Sequence, residues 1–379
     1  MKNEHSNNIF LSEGINVLSL FDGMSCGQIA LEKAGIKVNN YFASEIDKHA
    51  IAVTKANYPN TQHLGDVTKV KGEDLPKIDL LIGGSPCQGF SFAGKQLNFE
   101  DPRSKLFFEY ARLLNELNPK YFLLENVRMK KESQDVISKY LGVEPIEINS
   151  NLVSAQNRRR LYWTNIPNIE QPNDKGILLK DIIIDGGIDC RMTTEDKAYA
   201  LTASYNGAVA WNTIEKKQRT MILDAVNGKK VHIDLFKEAP YTFYETRTDE
   251  GKEMRRKIRI ETGRDSTPRS KEFKMYLPLK EQKGNCLVTV ESPLDFVIDK
   301  SWKYRKLYPI EMERLQTVPD GYTKTASDTQ ARRMLGNGWT VDVIAHIFNQ
   351  MAALADKERG EEKNIITAYM HEPSLKTGT

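Results

Sequence analysis

The sequence contains no run of about 18 apolar residues, the length that a membrane-spanning helix requires. Its first residues, MKNEHSNNIFLSEG, are polar and lack the apolar stretch of a secretory signal, so we interpret residues 1–13 as a flexible tail. Only four cysteines occur among 379 residues, and none belongs to a CxxC pair. Their scarcity disfavours a structural zinc site or a disulfide scaffold and indicates a reducing compartment. We therefore expect a cytoplasmic protein without a membrane or metal partner.

The net charge of +3 does not by itself indicate a nucleic-acid-binding protein. The charge is uneven, however. Residues 251–283 hold six lysines, five arginines and five acidic residues, a local excess of +6. A solvated charged face and a phosphate-contacting surface both explain this stretch, and the sequence alone leaves both open.

Apolar, β-rich runs alternate with helical patterns through the first 166 residues. Strands are predicted at 15–21, 40–46, 78–84 and 120–127, and helices at 26–35, 47–59 and 103–119. Strands that alternate with helices of ten or more residues form βαβ units. The fold class is therefore α/β, a Rossmann-like, doubly wound, mostly parallel sheet that binds ligands at the carboxyl ends of its strands.

The alternation stops after residue 166. Residues 167–303 are polar and charged with short β-like pieces at 229–236, 239–247 and 284–290, which predicts a second, smaller, irregular β-rich domain. Helical patterns return from residue 304. Residues 335–360 are predicted to be a glycine-rich turn followed by a long helix, and 361–379 a polar tail.

The segment FDGMSCG, residues 21–27, follows the first strand and begins a helix. Gly23 permits a tight turn beside a ligand, and Gly27 permits close helix packing. Glu45 ends the second strand, where an acidic side chain accepts hydrogen bonds from ribose hydroxyls. Asp66 follows a third strand, where a carboxylate can accept from an adenine amino group. Helix capping or plain surface exposure is the alternative explanation for both acids.

The dinucleotide fingerprint G-x-G-x-x-G is absent, since the spacing here is G-x-x-x-G. This absence disfavours a nicotinamide cofactor. S-adenosyl-L-methionine carries no phosphates and needs no loop that cradles them, so it remains a candidate.

The segment GGSPCQGFSF places Cys87 after a proline at the end of a strand. Such a thiol is held rigidly and is a candidate nucleophile if a neighbour activates it. Glu125 follows apolar residues of the next strand, where desolvation favours the neutral acid that can donate a proton. Asn126 would fix its orientation. Taken alone, the thiol would more often be packing and the acid a salt-bridged strand end.

The segment SAQNRRRLYW provides a third polar group. Gln156, Arg158 and Arg160 share one face if the chain is extended, and such a row can contact phosphates and carbonyl oxygens. On its own this pattern is usually a solvated edge.

Together these groups suit chemistry at carbon 5 of cytosine. A thiolate that adds to carbon 6, with an acid that protonates N3, turns this carbon into a nucleophile for a sulfonium methyl group. The base must leave the helix for this reaction. A zinc deaminase also acts on a flipped cytosine, but its P-C-x-x-C signature fails here because Phe90 stands three residues after Cys87.

The chain resembles the cytosine-C5 DNA methyltransferase family, and its bacterial and phage members most. Eight segments occur in the family's order: FDGMSCG, ASEID, GDV, GGSPCQGFS, LLENV, QNRRR, ERLQTVPDG and LGNGWTVDVI. The resemblance covers about residues 15–166 and 304–350, and PCQ, ENV and QxRxR together are highly specific.

The resemblance implies catalytic roles for five residues. Cys87 would be the nucleophile on carbon 6, and Glu125 would act at N3. Arg160, with Arg158, would anchor the flipped cytidine and its phosphate, and Gln88 would lie on the loop that closes over the DNA.

The resemblance also implies a pocket for S-adenosyl-L-methionine. Phe21 would stack near the adenine and Gly23 would line the methionine moiety, while Glu45 would hold the ribose and Asp66 the adenine amino group. The remaining predicted cofactor residues are Ile46, Val67, Pro86, Leu106, Asn337 and Trp339.

In the family the last helix returns to the cofactor domain. The resemblance therefore implies a discontinuous catalytic domain of residues 14–166 plus 335–360, a target-recognition domain at 167–303 and a connecting segment at 304–334. Double-stranded DNA is the expected partner of a monomeric protein in a bacterial cell or a phage-infected host. The recognition sequence, and any restriction enzyme that would form a restriction-modification system with it, do not follow from the sequence.

Two segments depart from the family pattern: FDGMSCG replaces the common FAGxGG, and GNGWTV replaces GNS, so Trp339 is expected to alter the pocket wall. A tRNA methylator would carry Cys-Phe-Thr, yet Cys190 precedes Arg-Met and Cys286 precedes Leu-Val. A catalytically silent DNA-binding adaptor would lose Cys87 or Glu125. A nicotinamide dehydrogenase would leave PCQ and ENV unexplained.

Overall fold

A computed structural model describes residues 14–85, 105–184, 188–189, 197–208, 218–225, 243–247, 253, 274–278 and 302–354. The chain divides into two compact units. The first unit comprises Met1–Ile182, Lys197–Asn206 and Tyr308–Thr379, and the second comprises Ile183–Asp196 and Gly207–Leu307.

A seven-stranded sheet forms the centre of the first unit. Its strands are β1 (Ile15–Leu20), β2 (Val38–Ser44), β3 (Gln62–His63), β4 (Leu80–Gly83), β5 (Tyr121–Val127), β6 (Ile146–Asn149) and β8 (Arg159–Thr164). They lie in the order β3-β2-β1-β4-β5-β8-β6. The first five are parallel, and β8 runs antiparallel to both of its neighbours. The mostly parallel sheet expected from the sequence is confirmed.

The strand order places a crevice at the carboxyl ends of the central strands β1 and β4. The chain proceeds outward from β1 through β2 to β3, then returns to the other side of β1 with β4 and β5. At such a switch point the connections leave in opposite directions, and the carboxyl ends of the two central strands border an open crevice.

Helices follow the strands as the alternation predicts. They are α1 (Cys26–Lys33), α2 (Lys48–Asn57), α3 (Lys105–Leu117), α4 (Lys131–Leu141), α5 (Leu179–Ile182), α6 (Pro309–Leu315), α7 (Asp328–Asn337) and α8 (residues 341–354). The start of α2 is capped by Asp47, whose carboxylate accepts from the His49 N–H. Gly35 lies just beyond α1 with φ of 68°, the left-handed conformation in which glycine commonly ends a helix.

The core lies against the parallel strands. All of β4 is buried, in agreement with its continuous apolar sequence. The apolar face predicted for α3 also packs inward, with Tyr110 and Leu113 fully buried. Gly27 permits α1 to approach the sheet, because a Cβ there would lie 2.5 Å from Ile82 Cδ1 and 2.8 Å from the Tyr41 hydroxyl.

The structure differs from the sequence analysis near the C-terminal end. LGNG was predicted to be a turn, but Leu335, Gly336 and Asn337 complete the last turn of α7. Only residues 338–340 separate α7 from α8. In addition, the first unit resumes at Tyr308 rather than at residue 335 and includes 197–206, so the compact units have other boundaries than the predicted domains.

Two short sheets are described in the second unit. One has the order β14-β11-β9, formed by Trp302–Lys306, Met221–Ala225 and Ile188–Asp189, and the other pairs β12 (Phe243–Arg247) with β13 (Lys274–Pro278). A further short pair in the first unit joins β7 (Gln156–Asn157) and β10 (Ala198–Tyr199). The β-like pieces at 229–236 and 284–290 lie outside the described residues.

Within the described part of the chain, no helix has the length and apolarity needed to cross a bilayer. The same residues contain no group of three or more potential metal-ligating side chains.

Candidate active site and cofactor crevice

Three predicted site residues, Pro86, Cys87 and Gln88, lie outside the described residues. The chain is described up to Ser85, two positions after the end of β4. Ser85 is buried, and its hydroxyl accepts a hydrogen bond from Asn126 Nδ2 at 3.1 Å. This contact attaches the last described residue before Cys87 to the strand that carries Glu125.

Glu125 lies inside β5, opposite Tyr162 of β8, and only 8% of its surface is exposed. Its Oε1 forms an ion pair with Arg160 Nε at 3.0 Å, although the N–H is not aimed well enough for a hydrogen bond. Its Oε2 accepts a hydrogen bond from Trp339 Nε1 at 3.1 Å. Both oxygens of Glu125 therefore face donor groups.

Asn126 does not orient Glu125 as the sequence analysis expected. Its Nδ2 donates to Ser85, and its Oδ1 accepts from the N–H of Val127 at 2.8 Å. The residues found to contact Glu125 are instead Arg160 and Trp339.

Arg158 was predicted to help anchor a phosphate, but the structure buries it. Only 3% of the residue is exposed, and its guanidinium donates to the carbonyl oxygens of Leu201 at 2.7 Å and Gly338 at 2.9 Å. Burial, together with the nearby charge of Arg160, lowers the pKa of Arg158 to about 9. The three residues Gln156, Arg158 and Arg160 also do not form one continuous strand, since β7 ends at Asn157 and β8 begins at Arg159.

A buried hydrogen-bond network holds the segment around Trp339. Gln316 donates to the carbonyl oxygens of Leu335 and Gly338, and its Oε1 accepts from Gln156 Nε2 and the Thr340 hydroxyl, both at 2.9 Å. The sequence analysis quoted Gln316 within ERLQTVPDG but gave it no role. Its partners lie between 19 and 160 residues away, so no local pattern in the sequence indicated this role.

Glu45 lies at the cofactor crevice, and backbone N–H groups hold both of its carboxylate oxygens. Its Oε2 accepts from the Gly23 N–H at 2.8 Å, and its Oε1 accepts from the N–H groups of Ile46 at 2.7 Å and Asp47 at 2.8 Å. Three backbone donors thus fix the carboxylate between the carboxyl ends of β1 and β2. Gly23 has φ of 59°, and a Cβ on it would meet nothing within 4 Å, so its backbone borders open space.

The other predicted cofactor residues separate into exposed and buried groups. Ile46 is 77% exposed, unusual for its type, and Asp66 and Asn337 are also accessible. Asp66 Oδ1 accepts from Thr68, which lowers the pKa of the Asp66 carboxyl. Val67, by contrast, belongs to the apolar core, and Leu106 and Phe21 pack against it. The backbone of Phe21 has a φ of 58°.

The residues present fit S-adenosyl-L-methionine. Glu45, Ile46 and Gly23 lie where the sheet topology places a ligand. The carboxylate of Glu45 suits ribose hydroxyls and the exposed side chain of Ile46 suits an adenine face. The open space beside Gly23 suits a methionine chain.

Asp22 and Cys26 both belong to the segment FDGMSCG, and the sequence analysis gave neither residue a role. Desolvation raises the pKa of Asp22 to about 6, although hydrogen bonds with Ser19, Ser25 and Tyr41 act in the opposite direction. Burial also raises the pKa of the Cys26 thiol to about 12. A buried thiol with a raised pKa forms little thiolate at neutral pH, so Cys26 does not suit the role of nucleophile.

Comparisons with known proteins agree with this geometry. The sequence profile of the family described as C-5 cytosine-specific DNA methylase matches residues 15–353. Type II methyltransferase M1.ScrFI of Lactococcus lactis subsp. cremoris is 29% identical over 90% of this chain and 79% of its own length. Type II methyltransferase M.NlaX of Neisseria lactamica is 28% identical over 89% of this chain and 96% of its own.

Solved structures show the same fold at lower identity. The Entamoeba histolytica methyltransferase EhMeth superposes with a TM-score of 0.58 and 15% identity, over 90% of this chain and 99% of that chain.

Proposed function

Since the chain belongs to the C-5 cytosine-specific DNA methylase family, we propose that it methylates carbon 5 of a cytosine in a specific duplex DNA site through a covalent adduct with Cys87. The family and the fitted crevice make S-adenosyl-L-methionine the methyl donor. When bound, this cofactor supplies an electrophilic methyl group.

The contact between Asn126 and Ser85 carries the proposal. It joins the strand that bears Glu125 to the residue two positions before Cys87. A nucleophile and an acid that must act on opposite sides of one pyrimidine ring require such a link, because small displacements reduce the rate steeply.

Cys87 and Glu125 act as a pair in this mechanism. The Cys87 thiolate forms a bond to carbon 6 of the flipped cytosine, and the carboxyl of Glu125 supplies the proton that N3 gains. Carbon 5, made nucleophilic by this addition, then forms a bond to the donated methyl group. A base takes the proton from carbon 5, the bond between carbon 6 and Cys87 breaks, and N3 returns its proton to Glu125. Gln88 would lie on the loop that closes over the DNA.

Arg160 provides positive charge beside Glu125. Its Nε lies 3.0 Å from one carboxylate oxygen, and its buried N–H lacks a well-aimed acceptor among the described residues. A carbonyl oxygen of the flipped base would satisfy this donor, which supports the anchoring role predicted for Arg160. Arg158 would support the site indirectly, because its guanidinium donates to the carbonyl oxygens of Leu201 and Gly338.

The four cofactor contacts with assigned roles act at different parts of the molecule. Glu45 would accept hydrogen bonds from the ribose, Asp66 would accept from the adenine amino group, Gly23 would border the methionine chain and Phe21 would lie near the adenine. Ile46 would cover an adenine face, because an aliphatic side chain that is 77% exposed gains most by such contact. Pro86, Val67, Leu106, Asn337 and Trp339 would complete the wall.

The second unit would carry target recognition. The charged stretch 251–283, with its excess of +6, would contact DNA phosphates, which set the position of a protein on DNA but not its sequence preference. A monomer in the cytoplasm would suffice for this activity.

Expression in a host without 5-methylcytosine tests the proposal, with genomic bisulfite sequencing as the readout. We expect methylation at one consensus sequence for the wild type and none for Cys87→Ser, while the purified variant still binds S-adenosyl-L-methionine. Glu125→Gln should reduce the rate by about two orders of magnitude or more without loss of fold. Cys26→Ser is the matched control and should retain methylation. Wild-type activity in Cys87→Ser would remove the nucleophile assignment.

A further inference from the structure

The indole of Trp339 links two parts of the site that the sequence analysis treated separately. The residue was assigned to the cofactor pocket, yet its Nε1 donates to Glu125 Oε2 at 3.1 Å. An indole N–H is a donor only, so at this contact the carboxyl oxygen must accept.

Trp339 and Glu125 contact each other beside Gly84, where there is no space for a Cβ atom. A Cβ on Gly84 would lie 2.9 Å from Trp339 Nε1 and 3.1 Å from Glu125 Oε2. The indole, the carboxylate and the end of β4 are thus in close contact, one residue before Ser85.

The backbone on both sides of Trp339 is anchored by buried groups. The carbonyl of Gly338 accepts from Arg158 at 2.9 Å and from Gln316 at 3.2 Å. The hydroxyl of Thr340 accepts from the Ser150 hydroxyl and donates to Gln316, both at 2.9 Å. A side chain on such a fixed segment loses little entropy when it holds a partner in place.

Trp339 also adjoins the first loop of the cofactor crevice. A Cβ on Gly27 would lie 3.7 Å from Trp339 Cζ3, and the Cys26 thiol forms a hydrogen bond with the Trp339 backbone. A substitution that removes the ring would therefore disturb the cofactor pocket as well, and a test must keep the ring.

We propose that Trp339 is a positioning residue for Glu125, whose indole N–H fixes the carboxyl in the orientation that serves N3 of the flipped cytosine. This inference rests on the proposed function. With Oε2 held by the indole and Oε1 beside Arg160, the carboxyl plane is restrained at both oxygens, which fixes the direction in which Glu125 can deliver its proton to N3.

Trp339→Phe tests the role because it keeps an aromatic ring and removes the donor. We expect kcat for methyl transfer to fall about tenfold, as for the loss of one hydrogen bond to a charged group, while KM for S-adenosyl-L-methionine stays within about twofold. An unchanged kcat, or a fall in kcat accompanied by an equal rise in the cofactor KM, would overturn the proposal.

A double-substitution cycle with Glu125→Gln separates positioning from packing. If Trp339 acts through Glu125, Trp339→Phe should change the residual activity of Glu125→Gln by less than about twofold. A further tenfold loss in that background would show an independent role for the ring. If Glu125→Gln has no measurable turnover, the comparison of kcat with the cofactor KM in the single variant Trp339→Phe decides.

Trp163→Phe is the matched control. Its Nε1 donates to the Ser138 hydroxyl at 3.0 Å in the core, so this variant also removes one buried indole N–H. We expect a lower melting temperature and an unchanged kcat. Absence of methyl transfer by the wild-type protein would contradict the proposed function rather than the role of Trp339.

Discussion

Asp22 places a carboxyl group in a desolvated position beside the cofactor crevice. Its Oδ1 accepts from the Tyr41 hydroxyl at 2.7 Å, and its Oδ2 accepts from the Ser25 hydroxyl. Phe21 and Ser25 have positive φ, a conformation that is strained for residues other than glycine, while Gly23 between them adopts it without strain. The contacts of Asp22 hold the loop around it in the shape that aims the Gly23 N–H at Glu45.

Asp22→Asn should change how stability depends on pH. The pKa of Asp22 is raised from 3.8 to about 6, so the folded state binds this proton more tightly than the unfolded state. The stabilisation that this bound proton provides is complete below pH 3.8 and is lost as pH rises through 6. Its loss lowers the free energy of unfolding by about 3 kcal/mol. Relative to the wild type, Asp22→Asn should therefore gain up to about 3 kcal/mol between pH 4 and pH 7 in urea unfolding.

Asp342→Asn is a control of opposite sign. Burial opposes ionisation of Asp342, but hydrogen bonds from Lys175 and Lys33 lower the pKa of its carboxyl below the ordinary value. Its stabilisation is present at neutral pH and lost as pH falls, so this variant should lose stability relative to the wild type toward neutral pH. A parallel pH dependence of Asp22→Asn and the wild type would contradict the assignment for Asp22.

At the level of secondary structure, the end of α7 and the segment before α8 determine where Trp339 lies. Gly336 is in the last turn of α7, where a Cβ would overlap the backbone of Thr202 and Ala203. The Asn206 side chain also donates to the carbonyl of Thr329 at 3.1 Å in the same helix. Residues 197–206 and α7 therefore pack backbone to backbone, and glycine is required for that approach.

Gly336→Ala should destabilise the protein although alanine favours helix formation. The added methyl group meets main-chain atoms that cannot rotate away, which we expect to cost about 3 kcal/mol or more. Gly142→Ala is the comparison: Gly142 has φ of 73° at the end of α4 but open space around it, so its cost should be about 1 kcal/mol of backbone strain. Urea unfolding measures both, and equal losses in the two variants would contradict the close packing at Gly336.

The positions of strands and helices could be predicted from the sequence, but the tertiary contacts of individual side chains could not. Strand and helix positions up to residue 127 follow from hydrophobic periodicity, which burial imposes locally. The burial of Arg158 could not be predicted this way, because its carbonyl partners lie 43 and 180 residues away. The contact of Trp339 with Glu125, 214 residues apart, has the same cause. Local patterns contain no information about such pairs.

The turn predicted at LGNG failed for a related reason. Two glycines in four residues are typical of a turn, but Gly336 is helical because of close packing and not because of a bend. Tertiary context thus outweighed local propensity at this position.

At the scale of the whole chain, the first unit combines three separate stretches. Its candidate active site takes Glu125 and Arg160 from the first stretch and Trp339 from the last. Contacts between residues so distant in sequence are slow to form, so we expect the site to be completed late in folding. Its catalytic competence therefore depends on the entire first unit and not on one motif.

A covalent trap tests the central claim most directly. The substrate is an unmethylated DNA duplex that contains the protein's consensus sequence, with 5-fluorocytosine in place of the target cytosine. This base carries fluorine instead of a proton on carbon 5, so the enzyme thiol cannot be eliminated after methyl transfer. With S-adenosyl-L-methionine present, we predict a denaturation-resistant complex of the full-length protein, and peptide mass spectrometry should locate the modified base on Cys87. A complex that does not form, or one attached to another residue, would contradict the account.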